Sequence, residues 1–167
     1  FKNTGESRLV AIADVFQDGV PGYGTVTYVV RKDDPIQKVE DLRGKVIATN
    51  AIGSFGDSAM RIVMRSHGLG DKDFTTVQAN FNTMPAMLDE KKVDLINLVP
   101  QFRYMMTKDG KYRPLFTAAD GEGRIQAVLW AMRAEVLAAH RPAVVDFLAD
   151  HIRAMRWLLD PAHHEEA

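Results

Sequence analysis

Apolar residues along the chain fall into two alternating patterns. Short runs of consecutive or β-branched apolar residues are typical of buried strands; they predict strands over residues 9–13, 25–31, 46–49, 74–79, 93–99, 113–117 and 125–132. Apolar residues at three- and four-residue spacing predict amphipathic helices; these begin near residues 57, 83, 100, 135 and 142. Turn-forming pairs with glycine predict a loop over residues 14–24. The predicted inner side of the last helix carries Val145, Leu148, Ile152, Met155 and Leu159.

Strands and helices alternate between Val46 and Val99, which predicts an α/β fold with a parallel sheet covered on both faces. In open α/β sheets, ligands bind beyond the carboxyl ends of the strands. Two such ends carry candidate binding residues, the loop Asn50–Asp57 and the segment Val99–Phe102. We therefore expect the function of the chain to lie at that edge of the sheet.

The loop Asn50–Asp57 is the strongest candidate site. Backbone N–H groups at a helix amino terminus bind anions, and glycine lets a ligand approach the backbone closely. The ligand-binding interpretation assigns this role to Asn50, Gly53, Ser54, Phe55, Gly56 and Asp57. The alternative is that Ser54 caps its own helix, with Asp57 completing a capping box, and that the loop is only a turn. The charge of Asp57 already occupies the positive end of the helix dipole, and the loop contains no Arg or Lys. These features favour a weakly charged, zwitterionic or aromatic ligand unless a cation comes from elsewhere.

Two further strand ends supply candidate residues, each with two interpretations. Phe81 either stacks on an aromatic ligand or is a core phenylalanine, and Asn82 lies beside it. Pro100 begins a helix, and Gln101 either hydrogen-bonds a ligand or caps that helix. The residues alone do not choose between these interpretations.

Composition narrows the class of protein. The chain has 167 residues, a net charge of −1 and no cysteine, which argues weakly against nucleic-acid binding and excludes disulfides and thiol nucleophiles in this chain. No apolar run approaches the about 18 residues of a transmembrane helix. The sequence lacks a Walker loop, an H-E-x-x-H motif and a G-x-S-x-G motif. We therefore predict recognition of a small molecule, with no catalytic residue, no metal site and no cofactor.

Four segments, taken in order, resemble a known family. The most specific single piece is Asp41-Leu-Arg-Gly-Lys45, and the ordered set covers about Tyr28 to Pro161. The segments are Val29–Ile36 followed by Val39–Val46, the loop Asn50–Gly56, Met84–Asp94 leading to Phe102, and His140–Phe147 leading to Trp157–Pro161. This set resembles the periplasmic solute-binding proteins of ABC importers, in the nitrate/sulfonate/taurine and thiamine-pyrimidine-precursor group.

The resemblance implies a two-lobed periplasmic-binding-protein type 2 fold, α/β in class and only partly covered by this chain. Residues 1–34 are then part of lobe 1, residues 35–124 form lobe 2, and residues 125–167 return to lobe 1. The crossings between the lobes, near residues 34 and 124, are then the hinge. The sequence departs from the family at Lys91, where a glycine is frequent, and at Val99, where an aromatic or acidic residue often precedes the proline.

The resemblance also implies that the protein captures a small organic solute between two lobes and passes it to an ABC permease in the inner membrane. The expected ligand is a sulfonate, a nitrate-like anion, a pyrimidine or an aromatic acid. We expect a periplasmic or lipid-anchored monomer that binds no nucleic acid. Because the chain begins at Phe1, we also expect an internal piece of a longer chain, whose signal peptide is not in this sequence. Two alternatives stay open, a ligand-sensing domain of a regulator and an enzyme similar to the pyrimidine-precursor synthases of the same fold.

Overall fold

The structure is a computed structural model that describes residues 8–21, 25–107 and 110–163. Side chains at positions 101, 104, 105 and 107 lie outside that description. All seven predicted strands and all five predicted helices are present, with ends shifted by a few residues. In chain order, the strands are β1 (Leu9–Asp18), β2 (Thr27–Arg31), β3 (Val46–Thr49), β4 (Thr75–Gln78), β5 (Leu95–Leu98), β6 (Tyr112–Thr117) and β7 (Ile125–Arg133). The helices are α1 (Phe55–Ser66), α2 (Met84–Asp89), α3 (Pro100–Thr107), α4 (Ala119–Glu122), α5 (Ala134–Ala139) and α6 (Arg141–Leu159), with short 3-10 helices at Val39–Leu42 and Pro161–His163.

The chain divides into two compact units. The larger unit is Gln17–Ala127, and the smaller combines Phe1–Phe16 with Val128–Ala167. The larger unit contains a five-stranded sheet, whereas β1 and β7 form a separate two-stranded sheet. The candidate binding residues predicted from the sequence all belong to the larger unit.

The five strands of the larger unit are arranged in the order β4–β3–β5–β2–β6. β3 runs parallel to both of its neighbours, with Val46 opposite Thr75 on β4 and Ala48 opposite Ile96 on β5. β2 is antiparallel to β5 and to β6. The predicted parallel sheet is therefore confirmed for β3, β4 and β5. The carboxyl ends of these three strands meet at one edge of the sheet, which we call the carboxyl edge.

Helices cover both faces of this sheet because successive strand residues point to opposite sides. Ile47 and Leu95 pack in one buried cluster with residues of α1, whereas Ala48 and Ile96 pack in another with residues of α2. The α1 residues of the first cluster are Ala59, Met60, Val63 and Met64, and the α2 residues of the second are Met84 and Leu88. By the same alternation, the residues that follow Ala48 and Ile96, namely Thr49 and Asn97, lie on the α1 face.

β1 is longer than its apolar run predicts. The sequence predicts a strand that ends at residue 13 and then a loop, but β1 continues to Asp18 and pairs with β7. The first part of the loop prediction is therefore wrong, because the nine residues of β7 supply backbone hydrogen bonds beyond the apolar run. The Asp18-Gly19 turn signal acts only where the strand ends, and Gly19 there adopts a φ of 76°.

In the smaller unit, α6 exposes much of the side that the sequence predicts as inner. Val145, Ile152 and Leu159 are 57%, 51% and 60% exposed, so the prediction is wrong for these three residues. Val144 is buried instead. The two strands β1 and β7 form too narrow a sheet to cover a helix of 19 residues.

The position of β2 differs from the division suggested by the family resemblance. That division separates residues 1–34 from residues 35–124, whereas β2 is hydrogen-bonded between β5 and β6 in the larger unit. Burial explains this position, because Val29 and Val30 are both fully buried on opposite faces of the strand, as a central strand requires. The assignment of residues 1–34, 35–124 and 125–167 to the lobes of a complete binding protein, with a hinge between them, stays a prediction.

Lys91 occupies a backbone position that suits glycine. It follows the C-cap residue of α2, Glu90, where helices commonly end on a glycine. Its φ of 57° lies in the left-handed region, where a Cβ atom is unfavourable. The departure from the glycine that is frequent in the family therefore has a conformational cost.

We expect Lys91→Gly to raise the free energy of unfolding by up to about 1 kcal/mol, because the loss of the Cβ strain outweighs the greater freedom of glycine in the unfolded chain. Urea denaturation measures this change. Lys72→Gly is the matched control, since Lys72 is an exposed turn residue without positive φ, and we expect it to be neutral or destabilising. Equal destabilisation in the two variants would contradict the argument.

Candidate functional site

Ser54 begins α1 at the carboxyl edge. Its hydroxyl accepts a hydrogen bond from the N–H of Asp57 (3.3 Å), and its carbonyl accepts one from the N–H of Ser58 (2.9 Å). The helix-capping interpretation of Ser54 is therefore confirmed. Capping does not exclude ligand binding, because a capped helix terminus still directs its remaining N–H groups outward.

The charge of Asp57 is balanced inside the helix. Its carboxylate is 2% exposed and accepts hydrogen bonds from the N–H of Gly53 (2.8 Å) and from Nε of Arg61 (3.1 Å). The hydrogen bond to Asp57 raises the pKa of Arg61 above its ordinary value. The ion pair with Arg61 weakens the sequence argument that Asp57 disfavours an anionic ligand, although Oδ1 of Asp57 is buried without a hydrogen-bond partner among the described groups.

The rest of the Arg61 guanidinium is engaged away from the loop. Its two terminal nitrogens donate to Asp71 (3.0 Å) and to the hydroxyl of Thr76 (3.1 Å), and its guanidinium lies 5.6 Å from the ring centre of Phe74. Hydrogen bonds from Arg65 and Arg61 lower the pKa of Asp71. Arg61 therefore stabilises the helix terminus and is not placed to bind a ligand.

Two of the predicted N–H donors are used within the loop. The N–H of Gly53 donates to Asp57, and the N–H of Ser54 donates to the carbonyl of Ala51 (3.1 Å). In the described part of the chain, the N–H groups of Phe55 and Gly56 have no hydrogen-bond acceptor. These two groups are the backbone donors of the first turn of α1 that have no partner; Phe55 is half-buried and Gly56 is buried.

Asn50 links the loop to the sheet. Its side-chain oxygen accepts hydrogen bonds from the hydroxyl of Ser54 and from Nδ2 of Asn97, both at 3.3 Å. The N–H of Ile52 donates to Oε1 of Gln78 (3.4 Å), which ties the loop to the end of β4. Sequence reasoning missed Asn97, although a signal was present, because Asn97 interrupts the apolar run that predicts β5.

The structure explains why position 56 is a glycine, which the sequence did not reveal. A Cβ atom at this position would overlap Nδ2 of Asn97 and lie 3.5 Å from its Cγ. The sequence predicts that a ligand approaches the backbone closely at Gly56. On this side of Gly56, the group that does so is the buried side chain of Asn97. At Gly53 the reason is conformational, since its φ is 80° and a Cβ would meet nothing within 4 Å.

A buried polar cluster lies beside the same helix terminus. The hydroxyl of Tyr28 donates to the carbonyl of Gly56 (2.5 Å), and Tyr28 is fully buried. Asp18, also fully buried, accepts hydrogen bonds from the hydroxyl of Thr25 and from the N–H of Val26 (3.0 Å). Burial, with the charges of Glu122 and Asp18, raises the pKa of Tyr28 far above its usual range. Burial and the charge of Asp18 also raise the pKa of Glu122.

The remaining predicted residues follow β4 and β5 at the carboxyl edge, and among them Phe81 packs towards the other face of the sheet. Phe81 is partly buried against the α2 cluster and stacks on Phe102, with ring centres 5.2 Å apart. Asn82 is exposed. Pro100 begins α3 and is half-buried, and the side chain of Gln101 lies outside the described part of the structure. A role in ligand binding stays a prediction for all ten residues, Asn50, Gly53, Ser54, Phe55, Gly56, Asp57, Phe81, Asn82, Pro100 and Gln101.

The fold is similar to that of two-lobed periplasmic binding proteins. The chain is similar to the periplasmic aliphatic sulphonate binding protein SsuA from Escherichia coli, with a TM-score of 0.74 at 19% identity over 99% of this chain and 54% of that chain. It is similar to the alkanesulfonate-binding protein SsuA from Xanthomonas axonopodis pv. citri bound to MOPS, with a TM-score of 0.69 at 20% identity over 95% and 53%. The predicted periplasmic-binding-protein type 2 fold, partly covered by this chain, is thereby confirmed.

The chain belongs to the NMT1/THI5-like family, whose pattern it matches over residues 5–164. A mutant of the desulfurization enzyme DSZB in complex with biphenyl-2-sulfinic acid is also similar, with a TM-score of 0.60 at 17% identity over 83% of this chain and 52% of that chain. Comparison with curated proteins found no significant match. The chain spans about half the length of the solved structures named here. No helix in the described residues is long and apolar enough to cross a membrane.

We expect Glu122→Gln to become more stable relative to the wild type as the pH rises from about 3.5 to about 6.5. The pKa of Glu122 is raised above 4.5 in the folded protein, so its contribution to stability is complete below the unfolded pKa and is lost as the pH rises through the folded pKa. Glutamine carries no charge at any pH and avoids that loss. Urea denaturation along this pH series measures the difference.

Glu40→Gln is a control of opposite sign. The hydrogen bond to His67 (2.8 Å) lowers the pKa of Glu40, so its contribution to stability is present above the unfolded pKa and is lost at acid pH. We expect this variant to be less stable than the wild type at the upper end of the series and equal to it at the lower end. A stability difference for Glu122→Gln that is independent of pH would contradict its raised pKa.

Proposed function

We propose that this chain is part of the solute-binding component of an ABC importer, and that it binds the sulfonate or other acidic head of a small organic molecule at the carboxyl edge. The observation that supports this most is the pair of unbonded N–H groups of Phe55 and Gly56, at the amino terminus of a 12-residue helix. Family membership and the likeness to two sulfonate-binding proteins support the same function.

The chemistry of the loop fits an anion whose charge is spread over several oxygens. The helix terminus supplies neutral N–H donors and a favourable dipole, and Arg61 already neutralises Asp57. A sulfonate presents three equivalent oxygens, so it accepts several neutral hydrogen bonds without a direct ion pair. A cation from another part of the complete protein would strengthen the same contact.

The aromatic pair Phe81 and Phe102 lies at the same edge and is only partly buried. We propose that it contacts the carbon skeleton of the ligand, while the loop Asn50–Asp57 binds the head group. Asn82 and Gln101 are then hydrogen-bonding groups at the rim of the site. An amphipathic ligand with an acidic head and an apolar or aromatic body satisfies both parts.

The proposed transport function implies a partner and a location for the protein. A solute-binding component works outside the cytoplasmic membrane and delivers its ligand to a permease, and we propose this periplasmic role and this partner here. Closure of two lobes on the ligand, about a hinge, would be stabilised by contacts that both lobes make.

An enzyme on the same fold is the second candidate, because a desulfurization enzyme is among the similar structures. The described residues place no three His, Asp or Glu side chains together in a metal-binding group. Incubation with aromatic sulfonates and sulfinates, followed by assay for released sulfite, distinguishes the two functions. Release of sulfite would favour the enzyme, and binding without release would favour transport.

We expect isothermal titration of the complete protein to detect binding of MOPS or hexanesulfonate, with benzoate and an aminopyrimidine as competing ligand classes. Ser54→Asp is the decisive variant. Aspartate is as good an N-cap as serine, so the fold is retained, while its carboxylate competes for the N–H groups and repels an anion. We expect at least about tenfold weaker sulfonate binding, equivalent to about 1.4 kcal/mol.

Ser58→Asp is the matched control, because Ser58 is an exposed residue one turn further along α1. We expect its affinity to stay within about twofold of the wild type, since the effect of a helix-terminal charge falls off within the first turn. Equal sulfonate affinities for Ser54→Asp and the wild type would rule out this site.

A further inference from the structure

Asn97 is a polar residue in a strand that is otherwise apolar and buried. All four residues of β5, Leu95, Ile96, Asn97 and Leu98, are buried, and Asn97 is 2% exposed. Its Nδ2 donates to Asn50, but its Oδ1 has no hydrogen-bond partner among the described groups. A buried acceptor without a partner lowers stability. An apolar side chain would avoid this cost, so stability does not explain the asparagine.

The neighbours of Asn97 surround the first turn of α1. On β2 its cross-strand partner is Tyr28, whose hydroxyl donates to the carbonyl of Gly56. The register of β3 and β5 pairs Ala48 with Ile96 and places Thr49 beside Asn97. Thr49 is 1% exposed, and its hydroxyl also has no partner among the described groups. On the opposite side, the amide of Asn97 lies against the backbone of Gly56, with no room for a Cβ atom. The asparagine is therefore enclosed between the sheet and the first turn of α1.

This position lets one side chain fix two parts of the loop. The hydrogen bond from Asn97 orients Asn50, which in turn accepts from the hydroxyl of Ser54. The contact with Gly56 sets the distance between the sheet and the helix turn that presents the free N–H groups. Asn97 lies 41 residues beyond Gly56 in the sequence, so only the parallel pairing of β3 with β5 brings them together.

We propose that Asn97 is the positioning residue of the binding site, holding Asn50 and the first turn of α1 in the arrangement that accepts the ligand head. This inference rests on the proposed function for its effect on affinity. It also explains why position 56 is glycine, because any larger residue displaces the asparagine. Positions 56 and 97 are therefore expected to act as a coupled pair.

The substitution Asn97→Leu separates positioning from stability. Leucine has the branched shape of asparagine and the same number of side-chain heavy atoms, and it lacks the unpartnered acceptor. Because its methyl groups are bulkier against Gly56, this overpacking offsets the gain from losing the acceptor, and we expect an unfolding temperature close to that of the wild type. We expect at least about tenfold weaker binding of MOPS and faster hydrogen exchange of the Ser54 and Asp57 amides, which are bonded within the loop. Asn80→Leu is the control, because Asn80 is exposed at the same edge, and we expect it to change neither property.

Gly56→Ala and the double variant Gly56→Ala/Asn97→Ala test the coupling. We expect Gly56→Ala to lose stability and MOPS affinity together, since its methyl group overlaps the amide of Asn97. Removal of that amide in the double variant should restore stability but not affinity. Additive losses of stability in the two single variants and the double variant would overturn the coupling.

The two proposals fail in different ways. Wild-type affinity for MOPS and unchanged loop exchange in Asn97→Leu would overturn the positioning role while leaving the proposed function intact. A wild-type protein that binds no tested ligand would contradict the proposed function. In that case the hydrogen exchange of the Ser54 and Asp57 amides still tests the positioning role of Asn97. Faster exchange in Asn97→Leu than in the wild type would support that role, and unchanged exchange would overturn it.

Discussion

The parallel pairing of β3 with β4 and β5 is the constraint on which the rest of the larger unit depends. Because three strands end at one edge, three connections of the chain leave the sheet side by side. The same register places Thr49 beside Asn97 under the first turn of α1. A shift of one residue would turn Asn97 to the other face of the sheet and expose a leucine or isoleucine to the polar loop in its place.

At the amino terminus of α1, the acidic residue is paired with an arginine of the same helix, and two backbone N–H groups have no hydrogen-bond acceptor in the described part of the chain. Arg61 neutralises Asp57, Asp57 and Ser54 hold the loop, and Tyr28 accounts for the carbonyl of Gly56. What the turn still offers is the pair of N–H groups at Phe55 and Gly56. In the site that we propose, neutral donors bind an acidic head, and buried groups such as Asn97 hold those donors in place.

Local sequence patterns predicted many of the strands and helices and the cap of α1. The features that they did not predict depend on contacts between residues far apart in the chain. Strand runs, helical spacing and the Ser54 cap depend on neighbouring residues, and the structure confirms them. The central place of β2, the extension of β1 and the partner of Gly56 depend on residues far along the chain, such as β6, β7 and Asn97. The Asp57–Arg61 pair, four residues apart on a helix, was accessible from sequence and corrects the inferred electrostatics of the loop. The exposed side of α6 reflects a two-stranded sheet that no local pattern predicts.

The central claim is that the ligand head contacts the N–H groups of Phe55 and Gly56. The most direct test is a titration of the nitrogen-15-labelled complete protein with MOPS, followed by backbone amide chemical shifts. We expect the Phe55 and Gly56 amides to shift most, with smaller changes at Asn50 and in its side-chain amide. Saturable binding that leaves these two amides unshifted, while amides elsewhere in the protein move, would contradict it.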